Sequence, residues 1–95
     1  MTPITLNFGR LDMSNYHLAR NLTTSPETLA RLANDYRYYV RYWVAINPNT
    51  PPETLKHMAN DKNYWVRCTV ADNPNTPQYV KTYLKLAETV VELAQ

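Results

Sequence analysis

Glycine and cysteine are almost absent from this chain of 95 residues, which has one of each beside seven prolines. With so little glycine, turns must be built from proline and asparagine, so we expect a stiff fold without glycine hinges. The single cysteine, Cys68, excludes an internal disulfide framework and a cysteine-clustered zinc or iron–sulfur site within one chain. The net charge of +2 is too small to indicate a nucleic-acid or membrane partner by itself.

Long apolar runs are also missing. No uninterrupted stretch approaches the roughly 18 residues that a membrane-spanning helix needs, and the first residues lack the basic start and apolar core of a secretory signal. We therefore predict a soluble, cytoplasmic protein of one domain with no membrane partner.

A repeated corner organises the sequence. Asn47-Pro48-Asn49-Thr50-Pro51 recurs as Asn73-Pro74-Asn75-Thr76-Pro77, and a looser copy begins at Asn21. The copies begin at residues 21, 47 and 73, a constant period of 26 residues. A fixed period of this size is typical of stacked supersecondary units, so the chain is predicted to be a small solenoid.

Each full unit contains two predicted helices. The first begins at Thr50-Pro51-Pro52-Glu53, with Thr50 as N-cap and proline at the first helical position, and the upstream Thr24-Ser25-Pro26-Glu27 has the same form. The second covers residues 36–46 and 62–72, with Asp35 and Asp61 as caps, and ends at an asparagine suited to the left-handed conformation. The predicted core stripes are Leu29, Leu32, Ala33, Val40 and Val44, and one repeat later Leu55, Met58, Ala59, Val66 and Val70.

The two ends depart from the repeat. Ile4, Leu6 and Phe8 alternate with polar residues and are predicted to form an extended arm beneath the first unit. From about Pro77 onward, one longer amphipathic helix carries Val80, Leu84, Ala87 and Val91 and is predicted to cap the stack. The predicted fold is all-α, with an arm and partial repeat over 1–20, repeats over 21–46 and 47–72, and a capping repeat over 73–95.

The repeated pattern of Asp, Val-Arg, Val-Ala and Asn-Pro-Asn-Thr-Pro, over 35–51 and again over 61–77, resembles the leucine-rich repeat variant family and, more distantly, HEAT repeats. This resemblance covers about residues 15–84 and implies a short right-handed stack of helix pairs that binds macromolecules. It also implies a ladder between neighbouring units formed by Asp35, Asp61, Arg41 and Arg67. The cysteine-rich iron–sulfur segment of some family members has no counterpart here, because no cysteine precedes Cys68.

No pattern indicates an enzyme. The two histidines, His17 and His57, lie in different units without a neighbouring carboxylate or nucleophile, and the phosphate-binding, zinc-protease and serine-hydrolase motifs are absent. We therefore predict no catalytic residue, no metal and no cofactor.

The predicted second helices carry an excess of aromatic residues and arginine. Five aromatics and two arginines occupy nine positions from Asp35 to Trp43, and Tyr64-Trp65-Val66-Arg67 echoes them. Equivalent positions of stacked units should form columns of Tyr38 with Tyr64, Tyr39 with Trp65, and Arg41 with Arg67. On an ideal helix Tyr39 and Tyr42 point roughly 100° or more away from Val40, so these two positions, together with Trp65, are expected to form the exposed face. The candidate partner-binding residues are Arg37, Tyr38, Tyr39, Arg41, Tyr42, Tyr64, Trp65 and Arg67.

Exposed tyrosine, tryptophan and arginine are the composition of protein-binding hot spots. The sequence therefore predicts a non-enzymatic module that binds a protein or peptide. Single-stranded nucleic acid is the alternative partner, because the same residue types stack bases and neutralise phosphates. Self-association is a third possibility, since a short solenoid exposes its end faces and many aromatics.

Overall fold

The computed structural model describes residues 12–94, and within this range the chain forms six helices and no strand. The all-α class is confirmed. The arm predicted around Ile4, Leu6 and Phe8 lies outside the described residues. The helices are α1 (Ser14–Arg20), α2 (Pro26–Leu32), α3 (Tyr38–Ile46), α4 (Pro52–Met58), α5 (Tyr64–Asp72) and α6 (Gln78–Ala94).

One layer of helices runs through the molecule. Helix α1 packs against α3, α3 packs against α5, and α5 packs against α6. The short helices α2 and α4 contact the helices that follow them, α3 and α5. This order places α3 between α1 and α5, so side chains of three helices meet on the α3 surface.

The core follows the periodicity of the sequence. The predicted stripes of the short helices and of α3 and α5 are buried, which confirms them as core. Val40, Val44, Val66 and Val70 have no solvent exposure at all. Ala19 and Ala45, at equivalent positions one period apart, are also fully buried, and such small side chains let neighbouring helices approach closely. The remaining buried apolar residues are Leu29, Leu32, Ala33, Leu55, Met58, Ala59, Val80 and Leu84.

The predicted capping role of Thr50 is wrong. Its side chain is fully buried, and its hydroxyl donates to the Val44 carbonyl oxygen at 2.6 Å. The last carbonyl groups of a helix have no intrahelical donors. The buried carbonyl of Val44 therefore takes the Thr50 hydroxyl as its donor, and this hydroxyl does not cap the next helix. Thr24 and Thr76 make the same bond to Leu18 and Val70.

Helix starts differ between the two short helices. Ser25 caps α2, because its hydroxyl oxygen accepts a hydrogen bond from the Thr28 amide at 3.2 Å. Helix α4 starts after Pro51, which has no side chain able to accept such a bond. In both helices a proline stands in the first turn, where its missing amide hydrogen costs nothing.

The second helices begin two residues later than the sequence predicts. The carboxylate of Asp35 accepts a hydrogen bond from the Arg37 amide at 2.9 Å, and that of Asp61 accepts one from the Asn63 amide at 2.8 Å. These bonds form turns that keep the intervening residues out of the helix. Asn63 then caps α5 by accepting from the amides of Trp65 and Val66. Asp35 and Asp61 therefore order the turn before each helix and are not its N-caps.

The asparagine corners also differ from expectation. Asn47 and Asn73 do not adopt a left-handed conformation; their backbone is extended, with φ of −64° and −73°. The Asn47 carboxamide oxygen accepts from the Asn49 amide at 2.8 Å, which closes the turn. Its Nδ2 donates to the carbonyl oxygens of Ala19 and Asn21, both at 3.0 Å. The side chain thus binds the backbone of the preceding unit, and no positive φ is needed.

The same connection recurs one period later. Asn73 Nδ2 donates to the Ala45 and Asn47 carbonyl oxygens at 2.7 and 3.1 Å. A second asparagine in each corner reaches back as well, with Asn49 donating to the Thr24 carbonyl at 2.8 Å and Asn75 to that of Thr50 at 3.3 Å. Equivalent residues are therefore joined by equivalent bonds along the chain.

Helix α6 ends the described chain. It begins at Gln78, close to the predicted start, and buries Val80 and Leu84, whereas Ala87 is half-buried. The side chain predicted to continue this stripe, Val91, lies outside the described side chains. No helix within residues 12–94 is long and apolar enough to cross a lipid bilayer.

Replacing the buried corner amide is expected to destabilise the fold strongly. Asn47 is 2% exposed, and Asn47→Ala leaves the Ala19 and Asn21 carbonyls without this donor, at a cost of about 2–3 kcal/mol in the free energy of unfolding. Urea unfolding followed by circular dichroism measures the effect. Asn34→Ala, at an exposed asparagine, is the matched control and should change the stability by less than about 0.5 kcal/mol. Equal effects of the two substitutions would contradict the role given to Asn47.

Candidate functional site

An aromatic groove lies on the surface that α1, α3 and α5 share. It has a volume of about 560 Å³. Helix α3 provides most of its lining, while α1 and α5 provide one side each. The residues of the aromatic groove are Met13, Tyr16, Tyr38, Tyr39, Tyr42, Trp43 and Trp65.

The groove is built around aromatic pairs. Tyr38, Tyr39, Tyr42 and Trp43 follow a spacing of one and four residues along α3, which places them on adjoining sides of the helix. Tyr16 of α1 meets the rings of Tyr39 and Trp43 edge to face, with centroids 6.1 and 6.3 Å apart. This T-shaped arrangement is favoured because the ring edge and the ring face carry opposite partial charges. The rings therefore hold one another in place.

The groove has a packed floor and an accessible rim. Tyr39, Tyr42 and Trp43 are half-buried and pack against the core, whereas Trp65 is 61% exposed and Tyr38 50% exposed. The expectation that Tyr39 and Tyr42 belong to the exposed face is therefore wrong. At their angle from Val40, the side chains of Tyr39 and Tyr42 lie against the neighbouring helices and not in solvent.

Four of the eight predicted site residues meet in this groove: Tyr38, Tyr39, Tyr42 and Trp65. Tyr64 lies outside its lining and packs edge to face on Trp65, with ring centroids 5.1 Å apart. The neighbouring Cys68 thiol raises the pKa of Tyr64 above its ordinary value. Among the described residues, no ring pair joins Tyr38 to Tyr64 or Tyr39 to Trp65, so the predicted columns are not held by direct ring contacts.

Arg41 cannot serve as a partner-binding residue. It is 6% exposed, and its Nε and Nη2 donate to the two carboxylate oxygens of Asp61 at 2.7 and 3.2 Å. Its Nη1 donates to the Asp35 carbonyl oxygen at 2.8 Å. The ladder contact implied for Arg41 and Asp61 is confirmed, and the contact role predicted for Arg41 is wrong because its donors are already used inside the fold.

Arg37 is held by the turn that precedes α3. Its Nε and Nη2 donate to the two oxygens of Asp35 at 2.9 and 2.8 Å, and its Nη1 donates to the Asp12 carbonyl at 3.1 Å. Asn15 Nδ2 donates to Asp35 as well, at 2.9 Å. The ladder implied by the resemblance thus takes a different form here, since the Asp35 carboxylate pairs with Arg37 in its own turn and with Asn15 of the preceding unit.

Arg67 is half-buried at the junction of α5 and α6. Its Nη1 donates to the Asp61 carbonyl oxygen at 2.7 Å, and its guanidinium carbon lies 5.8 Å from the centre of the Tyr64 ring. Of the three arginines proposed for the binding surface, none lines the aromatic groove.

Three groove residues were not predicted from the sequence: Met13, Tyr16 and Trp43. Tyr16 stands one period before Tyr42, so alignment of the partial first unit would have found it. Arg20 was not predicted either, and its guanidinium carbon lies 5.3 Å from the Tyr16 ring centre and 4.7 Å from that of Trp43. This cation stacks on the side of the groove and limits the motion of both rings.

The titratable groups do not assemble a metal site within residues 12–94, where no three His, Cys, Asp or Glu side chains converge. His17 and His57 are both exposed and lie on different helices. Comparison with protein-family models, curated proteins and solved structures finds no significant match to this chain.

The Asp35 carboxylate should make stability depend on acid pH. Hydrogen bonds from the Arg37 guanidinium hold the pKa of Asp35 far below its ordinary value. A carboxylate with a lowered pKa in the folded state stabilises the fold above its unfolded pKa of about 3.9, and this contribution is lost as the pH falls below that value. By pH 3 the loss from Asp35 should reach about 1 kcal/mol.

Urea unfolding at pH 7 and pH 3 of the wild type and Asp35→Asn tests this expectation. The variant should be less stable at pH 7 and should lose about 1 kcal/mol less than the wild type on acidification. Glu27→Gln, at an exposed position in the first turn of α2, is the control for removing a negative charge. An identical acid response of wild type and Asp35→Asn would contradict the assignment.

Proposed function

We propose that this protein is a non-enzymatic interaction module that binds a peptide segment of a protein partner in the aromatic groove. The scaffold we propose is a short right-handed α-solenoid of about three 26-residue repeats, closed by α6 and related to the leucine-rich repeat variant family. We place its action in the cytoplasm.

The recurring backbone contacts support the solenoid. Asn47 and Asn73 donate to carbonyls at the same offsets of 28 and 26 residues. The threonine bonds over six residues occur in all three corners. In stacked repeats, neighbouring units meet through the same contacts, so hydrogen bonds recur at a fixed offset. An irregular helical domain is not expected to repeat its contacts in this way.

The observation that carries the binding proposal is the groove itself. Six aromatic rings from three helices, with Met13 just before α1, border a single depression of about 560 Å³. Core packing alone does not require Trp65 or Tyr38 to stand at its rim, because both are at least half exposed. Large rigid side chains lose little conformational entropy on binding, which makes such a cluster a favourable contact surface.

An extended peptide containing proline or other apolar side chains fits this surface best. Aromatic-lined grooves recognise polyproline-type segments by packing their rings against the preformed, apolar ridges of the peptide. The tyrosine hydroxyls Tyr38 and Tyr42 at the same groove supply polar groups that can bond to the peptide carbonyls.

Single-stranded nucleic acid is less well supported. Phosphate binding needs accessible cations, but Arg41 is buried on Asp61 and Arg37 is held by both oxygens of Asp35. Within residues 12–94, Arg20 is the cation that stacks on aromatic rings of the groove, those of Tyr16 and Trp43. One cation beside an aromatic surface favours a peptide over a strand that carries a phosphate at every nucleotide.

Selection of peptides from a random displayed library tests the proposal. Peptides enriched on the wild-type protein should be rich in proline or apolar residues and should bind the Trp65→Ala and Tyr38→Ala variants at least about tenfold more weakly, as expected when a hot-spot aromatic is removed. Both side chains are at least half exposed, so the variants should retain the wild-type fold by circular dichroism.

Tyr79→Ala is the matched control, because Tyr79 is a 60% exposed aromatic on α6 outside the groove. It should leave peptide binding unchanged. Failure to enrich any peptide, or equal loss of binding in the groove variants and the control, would overturn the proposal. Tight binding of a labelled oligothymidylate that falls steeply with salt and is lost in Trp65→Ala would overturn it in favour of nucleic acid.

A further inference from the structure

Equivalent positions, one period apart, are occupied by Asn15, Arg41 and Arg67. The first two each bind a carboxylate in the turn of the following unit, whereas the continuous helix α6 follows the third. Asn15 Nδ2 lies 2.9 Å from an oxygen of Asp35, and Arg41 binds both oxygens of Asp61. The residue one period after Asp61 is Ala87, which has no carboxylate. The third position therefore lacks the partner that the first two have.

The Arg67 guanidinium nevertheless makes the same backbone contact as the guanidinium of Arg41. Its Nη1 donates to the Asp61 carbonyl at 2.7 Å, just as Arg41 Nη1 donates to the Asp35 carbonyl at 2.8 Å. In Arg41 the remaining donors, Nε and Nη2, bind the Asp61 carboxylate. In Arg67 the same two donors have no hydrogen-bond acceptor among the side chains that the structure describes.

A cavity lined in part by Arg67 opens beside this side chain. It has a volume of about 460 Å³ and lies between α5 and α6. Two lysines border it together with Arg67, and two acidic residues stand beside them. Glu88 is one of these, but it forms no ion pair with Arg67 within the described residues. The charged residues of the cavity are Arg67, Lys81, Lys85, Asp72 and Glu88.

We propose that this cavity is a carboxylate-binding site in which Arg67 holds, through Nε and Nη2, an acidic group of a partner protein. The Nε–H and Nη2–H groups of an arginine are parallel and match the two oxygens of a carboxylate. A carboxylate is therefore the group that these two donors of Arg67 bind best. Lys81 and Lys85 add positive charge around the same opening. The site is separate from the aromatic groove and does not depend on the function proposed for it.

The chain itself provides a probe of the right shape. The segment over residues 59–63, Ala-Asn-Asp-Lys-Asn, carries the Asp61 that fills the equivalent position on Arg41. An acetylated and amidated peptide of this sequence offers its aspartate side chain as the one carboxylate. A second peptide with asparagine in place of aspartate and a free carboxyl terminus tests whether a chain end is bound instead. A third, with asparagine and an amidated end, has no carboxylate.

Binding is measured by nuclear magnetic resonance titration of the full chain at a salt concentration of roughly 20 mM, where charge interactions are weakly screened. The aspartate peptide should shift the Arg67 side-chain signals saturably and bind at least about tenfold more tightly than the peptide without a carboxylate, as expected for a charge-assisted bidentate contact. Tight binding of the free-terminus peptide would assign the site to chain ends, still as a carboxylate site.

Arg67→Gln should reduce binding of the aspartate peptide by about tenfold, and Arg67→Lys should reduce it as well, since lysine cannot form the bidentate contact. Glu88→Gln should strengthen binding, because it removes a negative charge from the opening. Trp65→Ala should leave it unchanged, which keeps this test independent of the aromatic groove. Circular dichroism of each variant checks the fold.

Equal binding of the peptides with and without a carboxylate would overturn the proposal. So would unchanged binding in a folded Arg67→Gln or Arg67→Lys variant, or the absence of saturable binding at millimolar peptide. A Glu88→Gln variant that binds no better and unfolds more readily would show that Glu88 occupies the site within the chain, and it would overturn the proposal too.

Discussion

The fold depends on asparagine side chains that bind the backbone of the preceding unit. A buried carbonyl without a donor costs free energy comparable to a lost hydrogen bond, and each corner brings such carbonyls together at the end of a helix. Asn47 and Asn73 satisfy two of them apiece with one carboxamide. Because the same side chain also closes its own turn, one residue sets both the turn and the distance between units.

Near the start of α3, a charged side chain likewise makes several bonds at once. Arg41 is buried and binds a carboxylate and a carbonyl at once. A buried charge is tolerated only when such partners surround it, which explains why this arginine is part of the scaffold although its neighbours Tyr39 and Tyr42 line the candidate site. Arg37 and Arg41 therefore order the turns before α3 and α5, and the lining of the groove consists mainly of aromatic rings.

Helix content and core were predictable because they follow from periodicity. The stripes containing Leu29 and Val40 need only local spacing to be recognised. The starts of α3 and α5 were not predictable in this way. A helix pattern does not show whether the Asp35 carboxylate accepts a hydrogen bond from an amide of its own turn or from an amide at the start of the helix. Burial of the aromatics was also beyond local reasoning. Whether Tyr39 faces solvent depends on Tyr16, which lies 23 positions earlier and belongs to another helix.

The direction of the corner bonds has a consequence for how the molecule comes apart. The corner asparagines of the described residues donate backward, from a later unit to the carbonyls of an earlier one. Separation at a corner takes donors from the carbonyls of the earlier segment and acceptors from the asparagines of the later one. The two surfaces exposed in this way are chemically unequal, since one presents carbonyl acceptors and the other presents amide donors.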